Sequence, residues 1–384
     1  MSVVGGRGFW NFFLLFFGMY LFVWSLSGLK ESWTMAFAVD GKENLARDYI
    51  GRMTGNPLSG LCLGVVATAL VQSSSGVVAL TIATVAAGGM TVAQAVPLVM
   101  GANIGTGVTC VLVTLGYAVR RREFAKAVPV ALLNDVVKTL SVAVFFTIEV
   151  STHALSSLAV YASEIVSRLP VFGFVFSGFP DMLDVVIMPV LKPVGGFFGW
   201  VFPGSAYGAL GLGVFSFVVL ILGLELMGAA AENVLKGNAS KYVHNAFRTR
   251  KRGLMLGTSF ACILQSSSVA TSLSIPFVVS ERISLREVYP YIMGCNIGTT
   301  IDPGQIASYV KFGVVGLSVG LVHVLINVFS VVFWLGIPRV GEIPLAVAER
   351  ISGVIIGSRN SVLSLIILTA LMFFIFPLVV IYIT

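Results

Sequence analysis

The sequence predicts an all-α polytopic membrane protein made of two inverted-topology repeats. Each repeat holds a re-entrant helical hairpin and a broken transmembrane helix. Three observations predict this. Of 384 residues, 57% are hydrophobic and 11% charged, against about 25% charged in a soluble domain. The polar quartet Gln72-Ser73-Ser74-Ser75 interrupts an apolar run and returns as Gln265-Ser266-Ser267-Ser268. Basic clusters fall on opposite sides of the two copies.

The spans come first. Mean hydropathy is +0.96. Apolar runs at Phe9–Leu29, Leu210–Ala231, Phe312–Leu335 and Ser361–Ile383 approach the ~20 residues that a helix needs to cross the hydrocarbon core. Short alternating segments, the mark of a membrane β-barrel, do not stand out. The first run is long, follows only Arg7, and shows no clear small-residue cleavage site. It is expected to be a retained helix rather than a secretory signal.

The repeat comes next, because self-similarity outranks other fold signals. Gln72 returns as Gln265, a shift of 265 − 72 = 193; Gly101/Gly294 and Asn134/Asn327 keep the same shift without a gap. Met100–Val108 (MGANIGTGV) matches Met293–Ile301 (MGCNIGTTI), and Pro97 matches Pro290. The expected organisation is repeat one at 1–150, a connector at 151–205, repeat two at 206–336, and a C-terminal loop and last helix at 337–384. Five prolines (170, 180, 189, 193 and 203) crowd the connector. It is expected to be external and partly surface-lying.

Charge orients the halves. Arg120, Arg121, Arg122 and Lys126 follow the first NIGT; Lys236, Lys241, Arg248, Arg250, Lys251 and Arg252 precede the second QSSS. Short basic loops stay cytoplasmic. The first QSSS segment then enters from outside and the second from inside, so the repeats are inverted. Inverted repeats holding substrate at their interface are a common transporter plan. The net charge of +7 fits this basic-loop bias, and no nucleic-acid partner is expected. Cys62, Cys110, Cys262 and Cys295 lie in apolar segments without metal-ligand spacing, so no zinc site or structural disulfide is expected. The sequon at Asn238 lies in a loop assigned to the inside and carries little weight.

The polar interruptions carry the chemistry. Gly60–Val71 covers about twelve residues, roughly 18 Å or half a membrane. QSSS then turns the chain into Gly76–Gly88, and the design returns at Gly253–Leu264 and Val269–Ser280. Asn103-Ile104-Gly105-Thr106 and Asn296-Ile297-Gly298-Thr299 likewise divide half-length segments. Broken helices at membrane depth are tolerated where they line a cavity. Their free N–H ends favour anions, their carbonyl ends bind small cations, and Ser, Thr and Asn both donate and accept. Four such tips meeting at mid-membrane would make one site for an anion with co-bound cations. Helix-packing polar residues are the plainer reading of any single tip; the paired recurrence argues for a site.

Two QSSS copies paired with GANIGT and GCNIGTT resemble the type II sodium-dependent phosphate cotransporters, bacterial members included. The resemblance covers both repeats. It implies secondary active import of inorganic phosphate, coupled to the Na⁺ gradient by alternating access. The phosphate-binding residues it implies are Ser73, Ser74, Ser75, Gln265, Ser266, Ser267 and Ser268. The Na⁺ residues it implies are Gln72, Asn103, Thr106, Gln265, Ser266, Asn296, Thr299 and Thr300. The family's histidine and asparagine match His323 and Asn327 in repeat two; repeat one keeps Asn134 but has Val130 for the histidine. Ala131 stands where charge-moving members carry an aspartate, and Asp135 is expected to face elsewhere on its helix. An electroneutral cycle with two Na⁺ is therefore expected. Resemblance to bacterial members also sets the expectation that their soluble regulatory domain and the cystine-bearing loop of animal members are absent.

Asp302 follows the second NIGT, and two readings stand: a Na⁺ ligand, since an intramembrane carboxylate is functional by default, or a helix cap. Lys138 and Glu149 fall in one long helix; for Lys138 two readings stand, facing a cavity or pairing with a carboxylate, and pairing is the plainer. No HExxH, GxSxG or P-loop occurs, so no enzyme and no cofactor beyond coupling Na⁺ is expected. The alternatives are a passive anion channel or a symporter of a related oxyanion. The expected setting is the cell (inner) membrane as a multi-pass protein in the lipid bilayer, with a homodimer as a possible assembly.

Overall fold

The computed structural model describes residues 54–86, 90–167, 182–203, 249–264, 266–302 and 313–384, with scattered positions between 10 and 31, 207 and 226, and 305 and 309, and residue 247. Gln265, residues 168–181 of the connector and the basic loop 227–246 lie outside the described residues. Every regular element described is helical. Four helices are long and apolar enough to span a membrane by length and composition: Val92–Leu115, Arg121–Thr152, Val314–Gly336 and Ser361–Ile383. The chain is an all-α membrane protein.

Helix α1 (Pro57–Val71) starts where Asn56 accepts from Leu58 N at 2.9 Å, with Pro57 in its first turn. Proline suits that position because its missing N–H is not needed there. The helix ends at Gln72, whose backbone is left-handed at φ 57°. After Ser73 the chain continues as α2 (Ser74–Ala86). Helix α3 (Val92–Gly105) opens on a capping box between Thr91 and Gln94 and is followed, across Thr106, by α4 (Gly107–Leu115). Helix α5 (Arg121–Thr152) is the longest, and α6 (Ala154–Ser167) and α7 (Met182–Val201) follow. Glu149 accepts from Leu155 N at 2.8 Å and Ser156 N at 3.2 Å. Its carboxylate thus sits on the N-terminus of α6, where the dipole favours it.

The second half repeats the plan. Helix α8 (Arg250–Leu264) leads to α9 (Ser267–Ser272) and α10 (Ser274–Val279). Helix α11 (Leu285–Gly298) opens on a capping box between Ser284 and Glu287, the positions 193 residues after Thr91 and Gln94. Then come α12 (Gly313–Gly336), α13 (Pro338–Gly357) and a last helix, α14 (Ser361–Ile383), interrupted by a π-helical turn at Leu371–Ile375.

Small residues decide the closest packing. A Cβ on Gly64 would meet Leu98 O at 2.1 Å, and one on Gly101 would meet Leu61 O at 1.9 Å. The same pairings recur as Gly257 on Tyr291 O (2.0 Å) and Gly294 on Leu254 O (2.1 Å). Only glycine lets α1 lie on α3, and α8 on α11, backbone to backbone. This is the packing available where no hydrophobic force separates helix from lipid. The two halves also interlock. The buried clusters join α5 to α8–α11 and α13, and join α12 to α1–α3 and α6.

Candidate functional site

The interlocking brings the two NIGT segments to one small cavity of about 10 Å³, room for one water-sized occupant. Asn103 and Asn296, equivalent residues of α3 and α11, face it with Asn327 and Ser330 of α12 and Lys138 and Ser141 of α5. All six side chains are buried. Asn103 Nδ2 donates to Asn327 Oδ1 at 3.1 Å, joining the first half to the second. Asn327 Nδ2 donates back to His323 O at 2.8 Å. Asn296 Oδ1 is buried without a hydrogen-bond partner among the described residues.

The α3/α4 break has its own polar ladder. Thr106 Oγ1 donates to Asn103 O at 2.8 Å and accepts from Lys138 Nζ. A Cβ on Gly107 would meet Asp135 Oδ1 at 2.0 Å and Phe373 Cζ at 2.8 Å. Asp135 therefore packs against the start of α4. This corrects the expectation that it faces away: one residue on from Asn134 rotates the side chain, but the bare glycine at the break leaves room for it there. Asn134 Nδ2 is 3.4 Å from Asp135 Oδ1 and 3.9 Å from Cys110 Sγ. Asn134 is buried beside the cavity rather than lining it.

The quartets stand at helix breaks. Gln72, held in left-handed backbone, accepts from Thr109 Oγ1 at 2.7 Å and donates to Ala69 O. Left-handed non-glycine residues cluster at functional sites because the surroundings must hold them there. Ser73 Oγ accepts from Gly76 N at 3.1 Å, and Ser266 Oγ accepts from Val269 N at 3.2 Å, so both serve as caps. Ser74, Ser267 and Ser268 are buried; Ser75 is half-buried. Ser75 O accepts from Gln305 Nε2 at 3.1 Å, a second bond between the halves. Thr299 and Thr300 are buried at the end of α11, bonded to Cys295 O and Ile297 O. Asp302 Oδ1 accepts from Gln305 N at 2.8 Å, as a cap does. Tyr309 OH reaches Thr300 O at 3.1 Å and lies 3.5 Å from His323 Nδ1.

The structure thus gathers Asn103, Asn296 and Asn327 around the cavity, with Thr106 joined to it through Lys138. It leaves Ser73 and Ser266 as caps and Gln72 as a clasp. Among the described residues no group of histidine, cysteine and carboxylate side chains could hold a metal by soft or imidazole ligation. The donors here are hydroxyl, amide and carbonyl oxygens, suited to hard cations and oxyanions. Ser141, Gln305 and Tyr309 were not placed there by sequence reasoning, whereas Lys138 takes the cavity-facing position that was one of its two readings. Only the unusual buried charge of Lys138 signalled itself.

Paired helix breaks enclosing a buried polar cavity define a helical membrane protein with an intramembrane hydrophilic site. The family model for the Na⁺/Pi-cotransporter matches residues 14–182 and 219–348; the chain belongs to that family. It is similar to human sodium-dependent phosphate transport protein 2B, 27% identical over 441 aligned residues covering 91% of this chain and 62% of the relative. It is likewise similar to the 2A proteins of rat (27% over 406 residues) and sheep (26% over 408), each covering 87% of this chain and 62% of the relative. The chain therefore spans under two thirds of these relatives' length. No solved structure matches it.

Proposed function

We propose that the chain imports inorganic phosphate by coupling it to the Na⁺ gradient through alternating access. The observation that carries this is the Asn103–Asn327 bond, which closes one half of the molecule on the other beside a buried polar cavity at the NIGT breaks. Membership of the Na⁺/Pi-cotransporter family supports the substrate pair. The two halves are inverted repeats, and α1–α2 and α8–α10 are re-entrant hairpins entering from opposite faces. Hydroxyls and helix N-termini at Ser73–Ser75 and Ser266–Ser268 hold phosphate, with Gln265. Oxygens of Gln72, Asn103, Thr106, Asn296, Thr299 and Thr300 form the cation-holding ends of the two breaks, where the coupling Na⁺ enters. The protein resides in the cell membrane, and its lipid-facing helices leave room for a homodimer.

The glycine-packed pairs α1·α3 and α8·α11 are rigid and move as bodies. Opening one break while closing the other would expose the site to one side at a time, the plan of inverted-repeat transporters. The test is radiolabelled phosphate uptake into proteoliposomes, with an inward Na⁺, K⁺ or choline gradient and the voltage clamped. Uptake that follows Na⁺ alone is expected. Uptake indifferent to Na⁺ would overturn the coupling and favour a passive anion pathway.

A further inference from the structure

Lys138 is the one position where the two halves differ in charge at the cavity. Its counterpart 193 residues on is Val331. Lys138 is 3% exposed, and its Nζ donates to Thr106 Oγ1 at the C-terminal end of α3. That hydroxyl gives its own proton to Asn103 O, so only lone pairs are left for the lysine, and the lysine is the donor. Among the described residues no carboxylate lies within ion-pair distance of Nζ. The ammonium rests instead on oxygens at a helix C-terminus, where a cation is electrostatically favoured. Asp135, three residues back on the same helix and also buried, stands on the same side of α5 and offsets the charge.

The second half has the same oxygens without the lysine. Asn296 and Thr299 match Asn103 and Thr106, Val331 brings no charge, and Asn296 Oδ1 is buried without a partner among the described residues. An oxygen left unpaired in a buried polar cavity costs free energy unless an occupant satisfies it.

We propose that the Lys138 ammonium permanently fills the cation position of the first NIGT break, so that a diffusible Na⁺ is taken only at the second. The lysine acts as a tethered coupling cation, and the chain binds one Na⁺ fewer per cycle than two symmetric breaks would take. This rests on the reading of the cavity as the Na⁺ and phosphate site.

The experiment compares the full chain with Lys138→Met, which keeps length and volume but not charge, with Lys138→Gln as the second variant should the first not stay monodisperse. Equilibrium binding of radioactive Na⁺ to purified protein gives the number bound per protomer. The Na⁺:phosphate ratio is read in proteoliposomes from the gradient at which net phosphate flux is zero. The expected result is one more Na⁺ bound, and a ratio higher by one, in the variant than in the wild type. An unchanged count in a folded variant overturns the inference. Wild-type protein that binds Na⁺ but moves no phosphate would overturn the transport reading alone, since the binding count still decides the role of Lys138.

Discussion

Trp334 Nε1 donates to Ser141 Oγ at 2.8 Å, and these residues occupy the same position in their respective halves, 193 residues apart. Equivalent residues can touch in this way only where an axis relating the halves passes between them. The bond therefore marks the crossing of α5 and α12 as the centre of the proposed two-fold arrangement. Trp334→Phe leaves the buried Ser141 hydroxyl without this donor and is expected to cost about 1–3 kcal/mol. Unfolding in detergent measures it, and adding Ser141→Ala to Trp334→Phe should restore part of the loss.

The asparagines break the symmetry that Ser141 and Trp334 obey. Asn103 bonds Asn327, while the matching pair, Asn296 and Asn134, leaves both Oδ1 atoms unbonded among the described residues. The opposite conformation of an inverted-repeat cycle should exchange the two: Asn296 pairs with Asn134 and Asn103 releases Asn327. Asn103→Ala and Asn134→Ala should then shift the resting conformation in opposite directions. Labelling of a cysteine introduced at Ser330 by an impermeant thiol reagent, from each side of the membrane, reads the shift. Shifts in the same direction would remove the exchange.

Gly101 and Gly294 each permit a backbone approach that a Cβ would block, at 1.9 Å and 2.1 Å from a carbonyl oxygen. A methyl group at either site would press on a carbonyl of the neighbouring helix, which cannot turn aside as a side chain can. Gly101→Ala and Gly294→Ala are each expected to destabilise by at least about 1–3 kcal/mol. Gly353→Ala, at a site with open space around it, should be neutral or slightly stabilising. Thermal unfolding of the three variants side by side checks the contrast.

Asp302 presents Oδ1 to Gln305 N. Asparagine offers the same acceptor without charge, so Asp302→Asn should keep both fold and Na⁺ affinity, while Asp302→Ala should lose about 1 kcal/mol. A large drop in Na⁺ affinity for Asp302→Asn alone would make the carboxylate a cation ligand.

Outside the membrane, Lys126 holds the Glu281 carboxyl below its usual range by hydrogen bond and charge, with Arg122 adding to it at 3.4 Å. A carboxyl lowered in the folded state contributes its stability above its unfolded value and loses it as pH falls through the folded one. The contact ties α5 to the loop after α10. The difference in melting temperature between wild type and Glu281→Gln should therefore be present at neutral pH and vanish in acid. Because the group is exposed, high salt should shrink it too.

Much of this was legible in the sequence because the signals were local. Asn103 and Asn296, the breaks after them, and the Gly101/Gly294 pair all declare themselves within one helix. What escaped was set by packing between distant segments. Asp135 looked misdirected because helical rotation was counted from Asn134, without the gap that Gly107 leaves. Gln305 meeting Ser75, and Trp334 meeting Ser141, join segments whose spacing no helical period relates. Asp302 could be read as a Na⁺ ligand or as a cap until the Gln305 N–H was found donating to it. Gln265 lies outside the described residues, so its part in the quartet stays with the repeat.

The last helix belongs to neither half, yet it reaches into one of them. Most of α14 lies on the outside, but Phe373, in its π-helical turn, is 1% exposed and packs against Gly107. The matching position in the second half is Thr300, whose carbonyl meets the Tyr309 hydroxyl instead. Two equal halves would balance like a level beam, idle at its midpoint. In the proposed cycle, a phenyl ring wedged under one arm would tilt the beam, giving the protein a preferred side on which to wait even between identical solutions.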